Sequence, residues 1–311
     1  MTDRRLVLLV SHTARKEALS ATIECVEALL AAGITPVMDP QELTPTLEFA
    51  KSNGSADSAA KVLTLGKDVF EKELELAVVL GGDGTILKAA ELVRESQTPL
   101  LGINLGHVGF LAESEKNQIS STIARVVDRD YLVKERLTLD VTVTVEGKEV
   151  YRTWALNEAT VEKSARDRML EVVIEVDGRP LSSFGCDGIV MSTPTGSTAY
   201  AFSGGGPVVW PSVDALLMVP LSAHALFSRP LVISPNSLMA VEVLQRSAGG
   251  GVLWCDGRRS TDLPAGARVE VRKSEKPVRL ARLLQGPFTD RLVRKFSLPV
   301  EGWRGPDSKK D

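Results

Sequence analysis

At 311 residues, with 43% hydrophobic and 25% charged residues and no low-complexity tract, the chain has the composition of a folded protein and the length for two domains. A formal net charge of −3 excludes a surface built mainly to neutralise a nucleic-acid backbone, so no nucleic-acid partner is expected. Three widely spaced cysteines, Cys25, Cys186 and Cys255, exclude a disulfide framework and a CxxC metal site and suit a reducing cytoplasm.

The apolar run 6–10 is too short for the core of a signal peptide and is read as a first strand. No apolar stretch reaches the roughly 18 residues a membrane helix needs, so no membrane partner is expected either. Leu19, Ile23, Val26, Leu29 and Leu30 then recur at helical spacing, and the apolar run 34–38 follows Gly33. After a polar loop at 52–58 the pattern returns: a strand at 76–80, a helix beginning near Ile86, a strand at 100–105 and a helix over 119–127. This alternation predicts an α/β domain with a parallel sheet. From Leu139 the period changes to two, and β-rich segments follow at 171–176, 240–244, 252–254, 268–272 and 278–283. Asp177-Gly178 and Asp256-Gly257 are read as hairpin turns. The expected domains are 1–133 and a β-rich 134–284. Phe288, Leu292 and Phe296 predict a closing helix.

The sharpest local signal is Gly81-Gly82-Asp83-Gly84-Thr85, between a strand and a helix. Gly81, Gly82 and Gly84, with Thr85, let backbone N–H groups approach phosphate oxygens at the carboxyl end of a strand. Asp83 suits a base or a metal-linked role, because a bare carboxylate repels polyphosphate. The alternative is a tight turn in which Asp83 caps the helix and the glycines supply positive φ. Neither GxxxxGK[ST] nor GxGxxG occurs, which weakens P-loop and hydride-transfer readings. A second Gly-rich strand exit runs from Gly102 through Gly106-His107-Val108-Gly109-Phe110. Asn157 and Glu158 are able to accept ribose hydroxyl protons, and Thr195, Ser197, Thr198 and Tyr200 offer polar groups around a base or sugar. Each segment alone reads equally well as a polar turn.

His12, His107 and His224 are too dispersed to suggest a metal cluster, and no direct protein ligation of a metal is expected. His224 is read as structural and His107 as backbone support or a ligand-edge residue. Lys88 and Arg229 are each able to meet phosphate, with Lys88 read as a surface charge. Trp210 and Trp254 are read as core or interface fillers, and Cys186 has no partner to make it nucleophilic.

In order, Gly-Gly-Asp-Gly-Thr, Gly-His-Val-Gly-Phe, Asn-Glu and Thr-Pro-Thr-Gly-Ser-Thr-Ala-Tyr resemble the bacterial NAD kinase family. The similarity continues through Ser203-Gly204-Gly205-Gly206-Pro207, Pro220-Leu221-Ser222-Ala223-His224, Arg229-Pro230 and Lys295-Phe296-Ser297-Leu298-Pro299-Val300, with residues 40–70 the least recognisable. The resemblance implies an α/β first domain, a sandwich-like all-β second domain, a last helix within 285–311 returning to the first, and an active site in the crevice between them. It also implies homodimers or homotetramers. By this resemblance Asp83 is catalytic, and Phe110, Asn157, Glu158, Asp187, Thr195, Thr198, Ala199, Tyr200 and Ser203 bind NAD. The expected partners are NAD and ATP or inorganic polyphosphate, with Mg²⁺ or another divalent cation bound mainly through donor phosphates. The rivals are a lipid or sugar kinase sharing the Gly-Gly-Asp-Gly loop and a non-catalytic NAD sensor.

Overall fold

The continuous apolar runs near the N-terminus become strands buried on both faces, and the amphipathic stretches between them become helices that cover those faces. The computed structural model describes residues 4–106, 109–112, 114–115, 118–165, 168–247, 249–283 and 286–300. Strand β1 (Leu6–Ser11) is buried throughout, and α1 (Lys16–Ala31) turns Leu19, Ile23, Val26 and Leu29 inward before β2 (Thr35–Met38). The weakly patterned stretch that follows holds α2 (Pro40–Ser52), α3 (Ala56–Ala59) and β3 (Leu63–Thr64). Asp39 caps α2 by accepting the Gln41 N–H at 2.9 Å, and Pro40 occupies the first turn, where its missing N–H is harmless. Then come β4 (Leu76–Leu80), α4 (Asp83–Leu92), β5 (Leu100–Asn104), β6 (Ser114–Glu115), α5 (Ile119–Val127) and β7 (Leu132–Arg136).

Alternating residues build the next part. It comprises β8 (Leu139–Val145), β9 (Lys148–Ala155), β10 (Glu158–Lys163), β11 (Leu170–Val176), β12 (Arg179–Cys186), β13 (Gly188–Ser192), the short α6 (Tyr200–Ser203), β14 (Leu216–Leu221), β15 (Leu231–Ile233), β16 (Met239–Val243), β17 (Gly251–Cys255), β18 (Arg259–Leu263) and β19 (Arg268–Lys273). They form two sheets, ordered β15-β14-β13-β10-β17-β18 and β12-β11-β16-β19-β8-β9. Both sheets contribute to one apolar core, including Val141, Val161, Val172, Met191, Val241, Leu253 and Val269, so this unit is an antiparallel sandwich. Asp177-Gly178 and Asp256-Gly257 both have positive φ at their two positions, the two-residue turn that matches strand twist.

The chain ends with β20 (Val278–Arg282) and α7 (Phe288–Phe296). Sequence reading grouped the segment 278–283 with the β-rich domain, and the structure corrects this. β20 pairs parallel with β5, Leu280 opposite Leu100, and extends the first sheet, whose order is β3-β2-β1-β4-β5-β20-β7 with β6 beside β5. A buried apolar β-strand carries no local mark of which sheet it joins. The chain accordingly divides at 135/136 and 278/279, into a first unit that includes everything from residue 279 on and a contiguous second unit. Ala281 and Leu283 enter the first unit's core with Leu9, Val78, Leu101 and Ile123. No helix among the described residues is long and apolar enough to cross a membrane.

Candidate active site

In the first unit the chain leaves β4 at Leu80 and enters α4 at Asp83, three residues before the helix start expected near Ile86. Gly82 is the N-cap, in extended conformation, and an acidic residue in the first turn opposes the positive end of the helix dipole. The simple-turn alternative fails on both counts. Asp83 makes no capping bond, and none of Gly81, Gly82 and Gly84 has positive φ. Gly82 and Gly84 are exposed, with no atom within 4 Å of where a Cβ would stand, so their backbone is approachable. Gly81 instead packs against the buried Thr85.

The Asp83 carboxylate is held from the second Gly-rich segment. The N–H of Phe110 donates to Oδ2 and that of Leu111 to Oδ1, each at 3.1 Å. A Cβ on Gly109 would collide with the same carboxylate, so glycine there is a condition of the close approach. Helix α7 supports this arrangement from behind. The Phe288 and Phe296 rings each lie 5.9 Å from the Phe110 ring, and Arg291 Nη1 donates to the carbonyls of Phe110 at 2.8 Å and Ala112 at 3.3 Å. Burial lowers the Arg291 guanidinium below its usual range, and the charge of Asp83 opposes that shift. Phe110 is buried, its side chain engaged with α7. His107 lies outside the described residues.

Lys88 is not merely a surface charge. Its Nζ donates to Glu42 Oε1 at 2.6 Å, and Glu42, nearly fully buried in α2, also accepts the Ser11 N–H at 2.7 Å. Burial raises the Glu42 carboxyl above its ordinary value, opposed by Lys88 and Ser11. The pair ties α4 to α2 and to the end of β1.

In the second unit Asn157 and Glu158 stand at the start of β10, both buried. The segment following β13 locks onto them. Thr193 N–H and Ser192 Oγ donate to the Asn157 carbonyl at 2.9 and 3.1 Å, and Thr193 Oγ1 donates to the Leu156 carbonyl at 2.6 Å. Gly196 packs so closely on the Asn157 carbonyl that no side chain fits. Two motifs thirty-five residues apart are thus one structure. Ser197 is structural, bonded to Pro194 and Val209. Thr195 is buried, Thr198 and Ala199 are half-buried, and Tyr200 and Ser203 are exposed around α6. Thr198 Oγ1 donates to the Thr195 carbonyl at 3.3 Å.

Burial pushes the Glu158 carboxyl up to about 8, with the charges of Asp256 and Glu162 in the same direction and the Tyr200 backbone N–H opposing. Its Oε2 is buried without a hydrogen-bond partner. Asp187 is bonded to Lys163 at 2.5 Å and to Ser222, which hold its carboxyl below the usual range. His224 is exposed, and its backbone N–H donates to the Gly185 carbonyl at 2.9 Å. Arg229 is exposed. Trp210 and Trp254, read as fillers, are 44% and 39% exposed and lie outside the core. Cys186 is buried, its thiol pushed up to about 12 by burial, and is no nucleophile.

Sequence reasoning missed two contributors. Arg291 carried no signal beyond its helix, and Asp256 was read only as a turn. Asp256 Oδ1 and Oδ2 accept the Leu156 N–H at 3.0 and 2.9 Å, Oδ1 accepts the Asn157 N–H at 2.7 Å, and Arg259 donates to Oδ2 at 2.8 Å. The Asp-Gly turn signal hid this, because the partners lie about 100 residues away in sequence. Among the described residues no group of three His, Cys, Asp or Glu is arranged to hold a metal ion.

Comparisons with known proteins agree with this pairing of folds. The model of the ATP-NAD kinase N-terminal domain matches residues 7–131, and that of the ATP-NAD kinase C-terminal domain matches residues 156–283. The chain is 62% identical over 309 residues to a protein named NAD kinase from Leifsonia xyli subsp. xyli, covering 99% of this chain and 100% of that one. It shares its fold with a yeast NADH kinase solved with NADH, at TM-score 0.83, 22% identity and coverage of 96% and 89%. It also resembles an NAD kinase from Archaeoglobus fulgidus solved with ATP, at TM-score 0.68, 23% identity and coverage of 95% and 100%. With both halves matched by the family's two domains and a relative this similar over its whole length, the chain belongs to the NAD kinase family.

Proposed function

We propose that the chain transfers a phosphoryl group from ATP, or from inorganic polyphosphate, to the adenosine ribose 2′-hydroxyl of NAD, giving NADP. The observation that carries this reading is Asp83: a carboxylate pinned by two backbone amides at a glycine-lined strand exit, beside amides open to an anion. The name of the Leifsonia relative and the NADH and ATP bound in the two similar structures support the choice of substrates.

The donor phosphates lie against the amides of Gly82, Asp83 and Gly84, where the first turn of α4 leaves N–H groups without intrahelical acceptors. Asn157 and Glu158 hold NAD hydroxyls, with Asp187, Thr195, Thr198, Ala199, Tyr200 and Ser203 around the rest of the nucleotide. As the 2′ oxygen attacks, a new O–P bond forms, the donor's terminal O–P bond breaks, and the hydroxyl proton passes to Asp83. The transition state asks mainly for positioning, which the fixed carboxylate provides. Mg²⁺ or another divalent cation, held through the donor phosphates, supplies neutralisation of their charge. The residues fit that arrangement: Asp83 is the acidic side chain at the loop and both its oxygens already accept amides, so it suits an outer contact better than a direct ligand. The protein acts in the cytoplasm, a reading supported by three buried free thiols. It assembles as a homodimer or homotetramer, supported by the exposed apolar side chains of Leu226, Phe227 and Val232.

A matrix of donors (ATP, polyphosphate) and acceptors (NAD, NADH, diacylglycerol, fructose 6-phosphate), read by a coupled NADP-dependent dehydrogenase and by phosphate-donor consumption, tests the reading. Donor turnover only with the lipid or sugar would refute it. Asp83→Asn should fold, keep its NAD affinity and lose at least about a hundredfold in kcat. Near-normal turnover would remove Asp83 from the proton-accepting role.

A further inference from the structure

Asn157 and Glu158 are adjacent in sequence, yet what holds them is a side chain from the turn between β17 and β18. Asp256 is nearly fully buried, with both oxygens occupied by the Leu156 and Asn157 amides and by Arg259. The Asp256 N–H in turn donates to the Glu158 carbonyl at 3.0 Å, so the turn and the start of β10 are tied in both directions. Arg259 lies over the Trp154 ring, 4.6 Å from its centroid, a cation–π contact that anchors the guanidinium bonded to Asp256. Glu158 shares this pocket but not the donors: its Oε2 is buried and has no hydrogen-bond partner.

We propose that Asp256 is a positioning residue of the acceptor site: its carboxylate fixes the backbone that presents Asn157 and Glu158, and its charge couples NAD binding to proton release from Glu158. The inference rests on the reading that Glu158 accepts NAD hydroxyls. Two buried carboxyls on backbone segments hydrogen-bonded to each other, the charge of one raising the other, do not both ionise freely. Asp256 is the ionised member, because amide N–H groups and Arg259 stabilise its anion, although burial raises it above its ordinary value. Glu158 is the protonated member at neutral pH, raised to about 8 by burial and then by Asp256. The groups facing Glu158 are Asp256 from the β17–β18 turn, Glu162 along β10, the Tyr200 amide and phenol from α6, the phenol raised by burial and then by Glu162, Asp187 and Glu158, and the Cys255 thiol of β17, itself raised to about 12 by burial. A ribose hydroxyl donating to Glu158 favours the ionised form, so NAD binding expels the proton and affinity rises as pH passes through about 8.

The test measures the NAD KM and kcat of the whole enzyme from pH 6 to 9.5, with calorimetric NAD binding alongside. In the wild type the NAD KM should fall as pH rises through the region of 8. Asp256→Asn keeps an acceptor for the amides but removes the charge. It should move that inflection to lower pH while kcat at saturating NAD stays within about threefold. An inflection left at the wild-type position overturns the coupling. Asp256→Ala, which leaves the amides without an acceptor, should raise NAD KM at least roughly tenfold; an unchanged KM overturns the positioning role. Should both variants fail to fold, Glu158→Gln decides, because it should abolish the pH dependence of NAD affinity, and its persistence would sink the proposal. Calorimetric NAD binding separates failures: absence of NADP formation by the wild type would refute the functional reading while leaving the binding profile to test Asp256.

Discussion

Gly109 shows how a single residue can matter through another side chain. A methyl group there would meet the Asp83 carboxylate, which the Phe110 and Leu111 amides hold in place and prevent from yielding cheaply. Gly109→Ala should therefore fold with a lowered melting temperature and normal NAD affinity, and lose at least about tenfold in kcat. Wild-type turnover would show that the carboxylate position is not critical. In sequence, Gly-His-Val-Gly-Phe read as weakly as any turn, and its link to Asp83 was invisible because residues 26 to 28 positions apart meet only after β4 and β5 pair. The converse holds for Asn157 and Thr193: both segments were legible as polar loops, but the bond between them is a product of β10 pairing with β13.

At the scale of elements, the ends of β1, β4 and α5 are joined by one carboxylate. Glu75 accepts both nitrogens of Arg5 at 2.8 and 2.7 Å and also Arg129, while Arg5 donates to the Val126 and Val127 carbonyls that close α5. Burial alone would raise the Glu75 carboxyl; the two arginines more than reverse this and hold it at about 2. A carboxyl lowered in the folded state adds stability that is complete above its unfolded value, about 4.3, and is lost as pH falls toward 2. Glu75→Gln should thus cost on the order of 2 kcal/mol at pH 7, the partial exposure of the group included, and should flatten the acid limb of the stability profile. Urea melts at pH 7 and pH 3 would decide, an equal loss at both pH values counting against the ion cluster. Helix α7 presents a second element-level dependence. Arg291→Met should lower kcat about tenfold without changing NAD KM, and Arg291→Lys should restore part of it, since one donor to the 110–112 carbonyls survives.

Over the whole molecule, the first unit is discontinuous: the second is inserted into it, and the chain returns through β20 and α7. Ending the chain after residue 286 should leave two folded units with low kcat, because α7 no longer backs Phe110. Ending it after residue 277 should unfold the first unit, since Leu280 and Ala281 leave its sheet. Thermal melting of both truncations would check this, and a first unit that survives loss of β20 would contradict it. Sequence alone determined the α/β alternation, the switch to period two and the hairpin turns, because these depend on neighbours two to four residues apart. It also ordered the motifs well enough to show the family resemblance. Tertiary structure decided the rest: the sheet that β20 joins, the pinning of Asp83, the burial of Glu42 with Lys88, and the conversion of Asp256 from a turn residue into the anchor of Asn157. Each of these depends on which distant surfaces exclude water together, and local periodicity carries no record of that.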